Sequence, residues 1–391
     1  MPFIGNKPTA IPLSADDLED NIISTAKIQD NAVTAAKYIE PIPFRNIIIN
    51  GDMSIAQRGT STASITSNNY TIDRWFMNIG DSGTWTISQD TDVPSGQGFS
   101  YSTKLDCTTA NASLSASSNF SFQQRFEGQN LQYLKYGTAN AQNLTLSFWV
   151  KTNKTGTYIV ELRDGSFSRN ISKSYTVNVS NTWEKKTITF EGDTTGILPN
   201  DNTGALVLAM WLSAGTNFTS GTLNTSWNTR VAANVAVGQV NLADDTANEW
   251  FITGIQLEAG TTASDFEFLP YDVNLTRCQR YFYQAGTNLN GAGQVTFGTG
   301  QWYSASEVLY CIYAPTRMRV KPTSSTPTVT AGYRFHKAGS FTDVDSAGVM
   351  TDADNQILSI YKSGLGGGTG GQATFVVSQS SPAKIQFNAE L

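Results

Sequence analysis

Three carboxylates, Glu258, Asp265 and Glu267, lie close together in the chain. Glycoside hydrolysis needs two carboxyl groups roughly 5–10 Å apart across a sugar bond, so this trio is the place where a polysaccharide-cleaving site would be sought. A second acidic group, Asp343, Asp345, Asp352 and Asp354, offers hard oxygen ligands of the kind Ca²⁺ takes. Its spacing is not that of an EF-hand loop, so solvated turns are expected, with a structural Ca²⁺ as the alternative and no other cofactor. GLGGGTGG at 364–371 lacks the Lys-Ser/Thr and the following helix of a phosphate-binding loop. It reads as a mobile connection or a receptor-contacting loop tip. The single histidine, His336, excludes a multi-histidine metal site within one chain and leaves one residue for any His-dependent catalysis. Cys107, Cys278 and Cys311 show no CxxC pairing and read as buried free thiols, a Cys278–Cys311 bridge being the alternative. An enzymatic function is not expected.

The elements that must position these residues follow from composition. Of 391 residues only 15% are charged, against a typical ~25%, while 11% are aromatic and 33 are glycine. Low charge with many aromatic, Thr, Ser and Asn residues fits pleated surfaces better than helices. Net charge is −6 with no basic block, which gives no footprint for a nucleic acid. No run of about 18 apolar residues occurs and the N-terminus lacks the layout of a secretion signal, so membrane insertion is not expected.

From 46 to 271 short β-rich runs alternate with Gly/Asn/Ser/Asp turns, the pattern of an all-β domain, a sandwich or a barrel. Leu144, Leu146, Phe148 and Val150 share one phase, as do Tyr158, Val160 and Leu162, and Leu206, Leu208, Met210 and Leu212. Phe251, Ile255 and Leu257 are set against Trp250, Ile252 and Gln256. Trp149, Trp211 and Trp250 therefore fall out of phase with the main apolar set of their strands. Tryptophan on a polar sheet face can stack on the apolar face of a pyranose; the competing reading is that a loop or another protomer covers it as packing. Trp183 reads as a core residue at the sandwich edge. After 271, a short helix or strand over 272–284, with Leu275, Cys278 and Phe282 on one side, leads to a smaller β-sandwich over 285–391. There Trp302, Tyr303, Tyr333 and His336 make the best candidates for a distal contact surface.

The first 45 residues are of another kind. DNIISTAKIQ at 20–29 and DNAVTAAKYI at 30–39 repeat with a fixed period. Each unit carries too few apolar side chains for a core. Ile22, Ile23, Lys27 and Ile28, then Val33, Lys37 and Tyr38, must be buried against other copies of the segment or a socket on another protein. Pro41 and Pro43 bracket a stiff, extended link, and 1–45 reads as an attachment segment plus linker.

NIIINGDMSIAQRGT at 46–60 and YTIDRWF at 70–76 resemble the opening of a family of bacteriophage and prophage tail fibre and minor tail proteins. The matching positions are Asn46, Asn50, Gly51, Gln57, Arg58, Gly59, Asp73, Arg74 and Trp75. SFWVK at 147–151, GIQLEAG at 254–260, FEFLPY at 266–271 and CQRYFYQ at 278–284 are similar to later landmarks of that family, in the same order. Where the family often carries a bulky aromatic before the QRG triplet, this chain has Ile55 and Ala56. The resemblance implies a jelly-roll like that of carbohydrate-binding modules, in a virion component made in the host cytoplasm. The expectation is a homotrimeric, mainly β tail fibre, docked through 1–45 to a tail protein such as an adaptor, nozzle or baseplate and contacting a host surface glycan or receptor. A passive connector and a polysaccharide-degrading tailspike are the alternatives. Asp73 and Arg74 are expected to form a buried pair that organises their strand.

Overall fold

The computed structural model describes residues 44–286, 295–379 and 383–391. The repeat, with Ile22, Ile23, Lys27, Ile28, Val33, Lys37 and Tyr38, lies outside the described residues. Phe44–Leu391 form one compact unit.

The alternating runs become antiparallel strands: β1 Ser61–Ile65, β2 Asn69–Tyr70, β3 Phe76–Gly80, β4 Thr84–Asp90, β5 Ser102–Thr109, β6 Asn119–Glu127, β7 Leu144–Thr152, β8 Gly156–Asp164, β9 Arg169–Val177, β10 Glu184–Phe190, β11 Gly204–Ala214, β12 Asn228–Thr229 and β13 Glu249–Ala259. They build a six-stranded sheet in the order β1-β4-β5-β13-β7-β10 and a seven-stranded sheet in the order β12-β9-β8-β11-β6-β3-β2. Inward residues of both sheets share one core, in which Phe148 of β7 meets Tyr175 of β9 edge to face with centroids 5.1 Å apart. The phases expected for β7, β8 and β11 are those observed.

The phase expected for β13 is not. Trp250 and Ile252 point inward together with Ile255 and Leu257. The ladder to β7 slips between Thr253 and Gln256, where β13 spends one more residue than its partner. Gly254 sits in that bulge at φ +62°, a conformation that costs glycine little and reverses the parity of everything beyond it. The opening segment docks at the bulge. Ile255 N donates to Gly51 O at 3.0 Å, and a Cβ on Gly51 would lie 2.1 Å from Ile255 O.

Helix Tyr271–Gln279 comes next, and Cys278 packs against Ile49 and Ile55. Phe282 does not continue the helix; it opens β14 (Phe282–Ala285). The remaining strands are β15 Thr296–Trp302, β16 Val308–Tyr313, β17 Thr323–Ser325, β18 Tyr333–Lys337, β19 Ser340–Val344, β20 Val349–Ala353, β21 Ile357–Lys362, β22 Ala373–Ser378 and β23 Ile385–Asn388. A three-stranded sheet, β14-β23-β17, and a seven-stranded sheet, β19-β18-β22-β15-β16-β21-β20, enclose a separate apolar cluster.

The residues that carry the tail-protein resemblance build the junction around helix Tyr271–Gln279. The Asn50 side chain accepts from Ile55 N at 2.9 Å and donates to Ile55 O and Asp73 O, while Trp75 Nε1 donates to Asn50 O at 3.0 Å. Asp73 and Arg74 do not pair with each other. Arg74, at φ +72°, turns away and pairs with Glu390, donates to Arg125 O and lies 3.5 Å over the Tyr281 ring. Asp73 instead accepts from Gln57 N at 3.0 Å and from the Gln57 amide, with Arg58 Nη1 3.7 Å away.

Burial pushes the Asp73 carboxyl up to about 6, with Arg58 pulling the other way. Because the folded state holds this proton more tightly than the unfolded chain does, the group's contribution is fully present below the ordinary carboxyl range and is lost as pH rises through about 6. Wild type minus Asp73→Asn unfolding free energy, from urea titrations, should therefore grow as pH is lowered from 7 to 5. A flat difference would remove Asp73 from the account.

Candidate binding surfaces

The outer face of the six-stranded sheet gathers aromatic side chains that water can reach. Trp149 on β7 is half-buried, opposite Lys185 on β10 and Thr253 on β13. Trp183, immediately before β10, is also half-buried on this face, which corrects its reading as sandwich-edge core. Its Nε1 donates to Asp92 Oδ1 at 2.9 Å, and its ring meets Phe251 edge-on with centroids 6.3 Å apart. Lys151 pairs with Asp92 and holds its ammonium 5.7 Å from the Trp183 ring and 4.3 Å from the Phe251 ring. Partial burial acts to raise the Asp92 carboxyl, but hydrogen bonds from Lys151 and Trp183 hold it below its ordinary value. The result is two indole faces bordered by charged donors and acceptors, the composition that seats a sugar ring with its hydroxyls satisfied. The sequence placed Trp149 outward through its strand phase. It missed Trp183 because that residue precedes its strand.

The other two tryptophans of the proximal set are covered. Trp250 is fully buried, with the Phe122 ring edge to face at 5.9 Å; the bulge at Gly254 explains the departure from the expected phase, since it turns an apparently outward position inward. Trp211 does point outward from β11, but the segment after that strand lies over it. Val235, Ala236 and Phe218 pack on the indole, and its Nε1 donates to Glu161 Oε2 at 3.2 Å. Neither is a surface contact residue in this structure.

Of the distal set, Trp302 and Tyr333 belong to the core. Trp302 Nε1 donates to His336 O at 3.0 Å, and the Tyr333 hydroxyl lies 2.9 Å from both Pro327 O and Lys384 O, which share its one proton, while it accepts from Lys384 N at 3.3 Å. The glycine-rich loop is tied down over Trp302. Gly368 N donates to Ala305 O, and a Cβ on Gly368 would stand 1.9 Å from the indole, so glycine is required there by close approach. Tyr303 is 70% exposed. His336 stacks on Phe375 with centroids 3.9 Å apart on the outer sheet face, and burial lowers its pKa. Beside it Arg334 holds Asp343 through two hydrogen bonds of 2.7 and 2.8 Å and lies 3.4 Å over Phe341. Thus Tyr303 and His336 retain surface, and Phe341 and Phe375 join the latter.

The carboxylates are committed locally. Glu258 accepts from Ser264 N at 2.8 Å and Ser264 Oγ at 2.7 Å, with Arg45 Nε 3.6 Å away. Glu267 accepts from the backbone amides of Phe44 and Asn46, and Asp265 contributes its backbone carbonyl to Arg45 and Gln256. Asp345 accepts from Ala331 N at 2.8 Å and Asp354 from Gln356 N and Ile357 N; the side chain of Asp352 lies outside the described set. Among the described residues no three His, Cys, Asp or Glu side chains converge as a metal site would require. Cys107, Cys278 and Cys311 are all unbridged.

No family model and no curated protein matches the chain. Similar solved structures include the enzymatically active domain of tailspike protein 4 of bacteriophage CBA120, 14% identical over 56% of this chain with a TM-score of 0.30. This chain spans 22% of that one. Others are TmCBM61 in complex with β-1,4-galactotriose (13% identity, 55% of this chain and 99% of that one, TM-score 0.27) and the xylan-binding domain CBM22-1 of Paenibacillus barcinonensis (12%, 52% and 94%, 0.24).

Proposed function

We propose that this chain is a host-attachment component of a bacteriophage tail, a virion protein that contacts surface glycan through the outer face of its six-stranded sheet. The observation that carries the glycan contact is the pair of half-buried tryptophans, Trp149 and Trp183, on one sheet face with Lys151, Asp92 and Lys185 around them. The tail assignment is supported by the ordered motifs over 46–284 and by the repeat at 20–39, which needs partners outside itself to bury its apolar residues. In a homotrimer, three weak sugar contacts on one particle would act together through effective concentration. No catalytic role is proposed for Glu258 or Glu267, whose oxygens are engaged by neighbouring donors.

Adsorption of the full chain to host cells, and to a glycan array, tests the platform. Trp149→Ala/Trp183→Ala should weaken adsorption by about tenfold or more, as expected for losing about 1.4 kcal/mol of stacking, with the unfolding midpoint nearly unchanged because both rings border solvent. Unaltered adsorption would favour the passive connector. Deleting 1–40 should leave a folded protein that no longer enters particles; normal incorporation would refute the anchoring role.

A further inference from the structure

The outer face of the other large sheet carries a row of residues that the tryptophan platform does not use. Register places Asn170, Arg163, Val207 and Arg125 side by side across β9, β8, β11 and β6. The adjacent row holds Ser172, Glu161, Ala209 and Gln123. Val207 of β11 separates the two arginines.

The charges here do not balance. Glu161 is satisfied, accepting from Arg230 Nε at 2.8 Å and from Trp211 Nε1. Arg163 is only 3% exposed, yet among the described residues its one side-chain hydrogen bond is to neutral Gln123 Oε1 at 3.3 Å, and its buried Nη1 has no partner there. Among the described residues no carboxylate forms an ion pair with it, although Glu161, committed to Arg230, and Asp164 act on its charge from further away. Arg125 Nε is also buried without an acceptor, but its Nη1 donates to Leu391 O at 3.1 Å and its guanidinium lies 5.3 Å from the Phe76 ring, so this arginine is already held. A buried guanidinium with an unused donor is unfavourable by the full desolvation of that N–H, and burial pushes the Arg163 guanidinium down to about 10. Over Arg163 lies Phe167, 3.7 Å from the guanidinium carbon, at a hairpin tip with φ +61° and 51% exposed. An aromatic residue in that conformation is strained, and such strain gathers at binding sites.

From this geometry we infer that Arg163, beneath Phe167, is the anchor of a binding site for the carboxylate of an acidic sugar. The carboxylate accepts from Arg163 Nη1, a charge-assisted bond of the kind arginine makes best; Asn170, Gln123 and Ser172 beside it are buried and held internally, Ser172 Oγ donating to Val235 O at 2.9 Å, Asn170 Oδ1 accepting from Asn224 Nδ2 at 2.8 Å and Gln123 Nε2 donating to Ser121 Oγ at 2.7 Å. Phe167, exposed at a turn, is the side chain that must swing aside. The assignment extends the glycan reading to a second surface without resting on Trp149 or Trp183, so loss of function at either surface is read by its own variants.

Calorimetry on the full chain with a galacturonate trimer and a galactose trimer, which differ by the C6 carboxylate, tests it. The acidic trimer should bind at least tenfold more tightly than the neutral one, with affinity falling as salt is raised. Arg163→Gln should weaken the acidic trimer about tenfold or more. Phe167→Ser, at an exposed position that leaves the fold intact, should strengthen it or speed its association. Trp149→Ala/Trp183→Ala should leave it unchanged. Equal affinity for the two trimers, undiminished binding by the folded Arg163→Gln protein, equal binding of acetate, or no binding by either wild type or Phe167→Ser would overturn the proposal.

Discussion

Trp250→Ala should lower the unfolding free energy by about 3–5 kcal/mol, the usual cost of emptying a large aromatic site in a packed core. The ring is fully buried between the sheets, against Phe122, in a strand paired on both sides with β5 and β7. No rotamer change nearby can refill an indole's volume, since central sheet strands move little. Denaturant titration gives the number, and adsorption per folded molecule should be unaltered. A loss under about 1 kcal/mol would mean that the ring is wet and that the bulge at Gly254 does not set the phase of β13. Gly254→Val asks the same question from the other side. Its Cβ would meet the Phe99 ring at 2.5 Å and its φ is +62°, so it should also destabilise.

Arg74→Ala is the second large effect, again about 3–5 kcal/mol, because removing one member of a buried ion pair leaves the other charge in a poor environment. Arg74 is 2% exposed; its partner Glu390 lies 316 positions away and also takes Arg58 Nη2 at 3.2 Å. The same guanidinium donates to Arg125 O at 2.7 Å and covers Tyr281. Lysine at 74 should not restore stability, for its ammonium cannot stack as a plane over Tyr281 and lacks the rigid fork of donors that spans Glu390 and Arg125 O. Combining Arg74→Ala with Glu390→Gln should be less than additive by about 1 kcal/mol or more. Strict additivity would show the pair to be uncoupled.

The junction around Arg74 explains why its motif was legible without its purpose being so. Asn50, Gln57, Arg58, Asp73, Arg74 and Trp75 could be singled out in the sequence, and Asp73 with Arg74 invited pairing as neighbours. In the chain, the backbone turn at Arg74 sends the two side chains to different partners, Gln57 with Arg58 and Glu390. A partner 316 positions distant has no local signature.

What the sequence by itself determined was strand phase wherever alternation runs unbroken. Period-2 alternation named the mainly β class and the inward faces of β7, β8 and β11, and it set Trp149 outward. Helical spacing and turn residues located the element near Tyr271–Gln279. Tertiary structure decided what alternation cannot carry. One extra residue at Gly254 turned Trp250 inward; a segment folded back over β11 covered Trp211; Gly368 closed on Trp302; and Trp183, just outside its strand, came to the surface beside Trp149. Strand phase is a property of neighbours along the chain, whereas exposure depends on which distant segment arrives above each face.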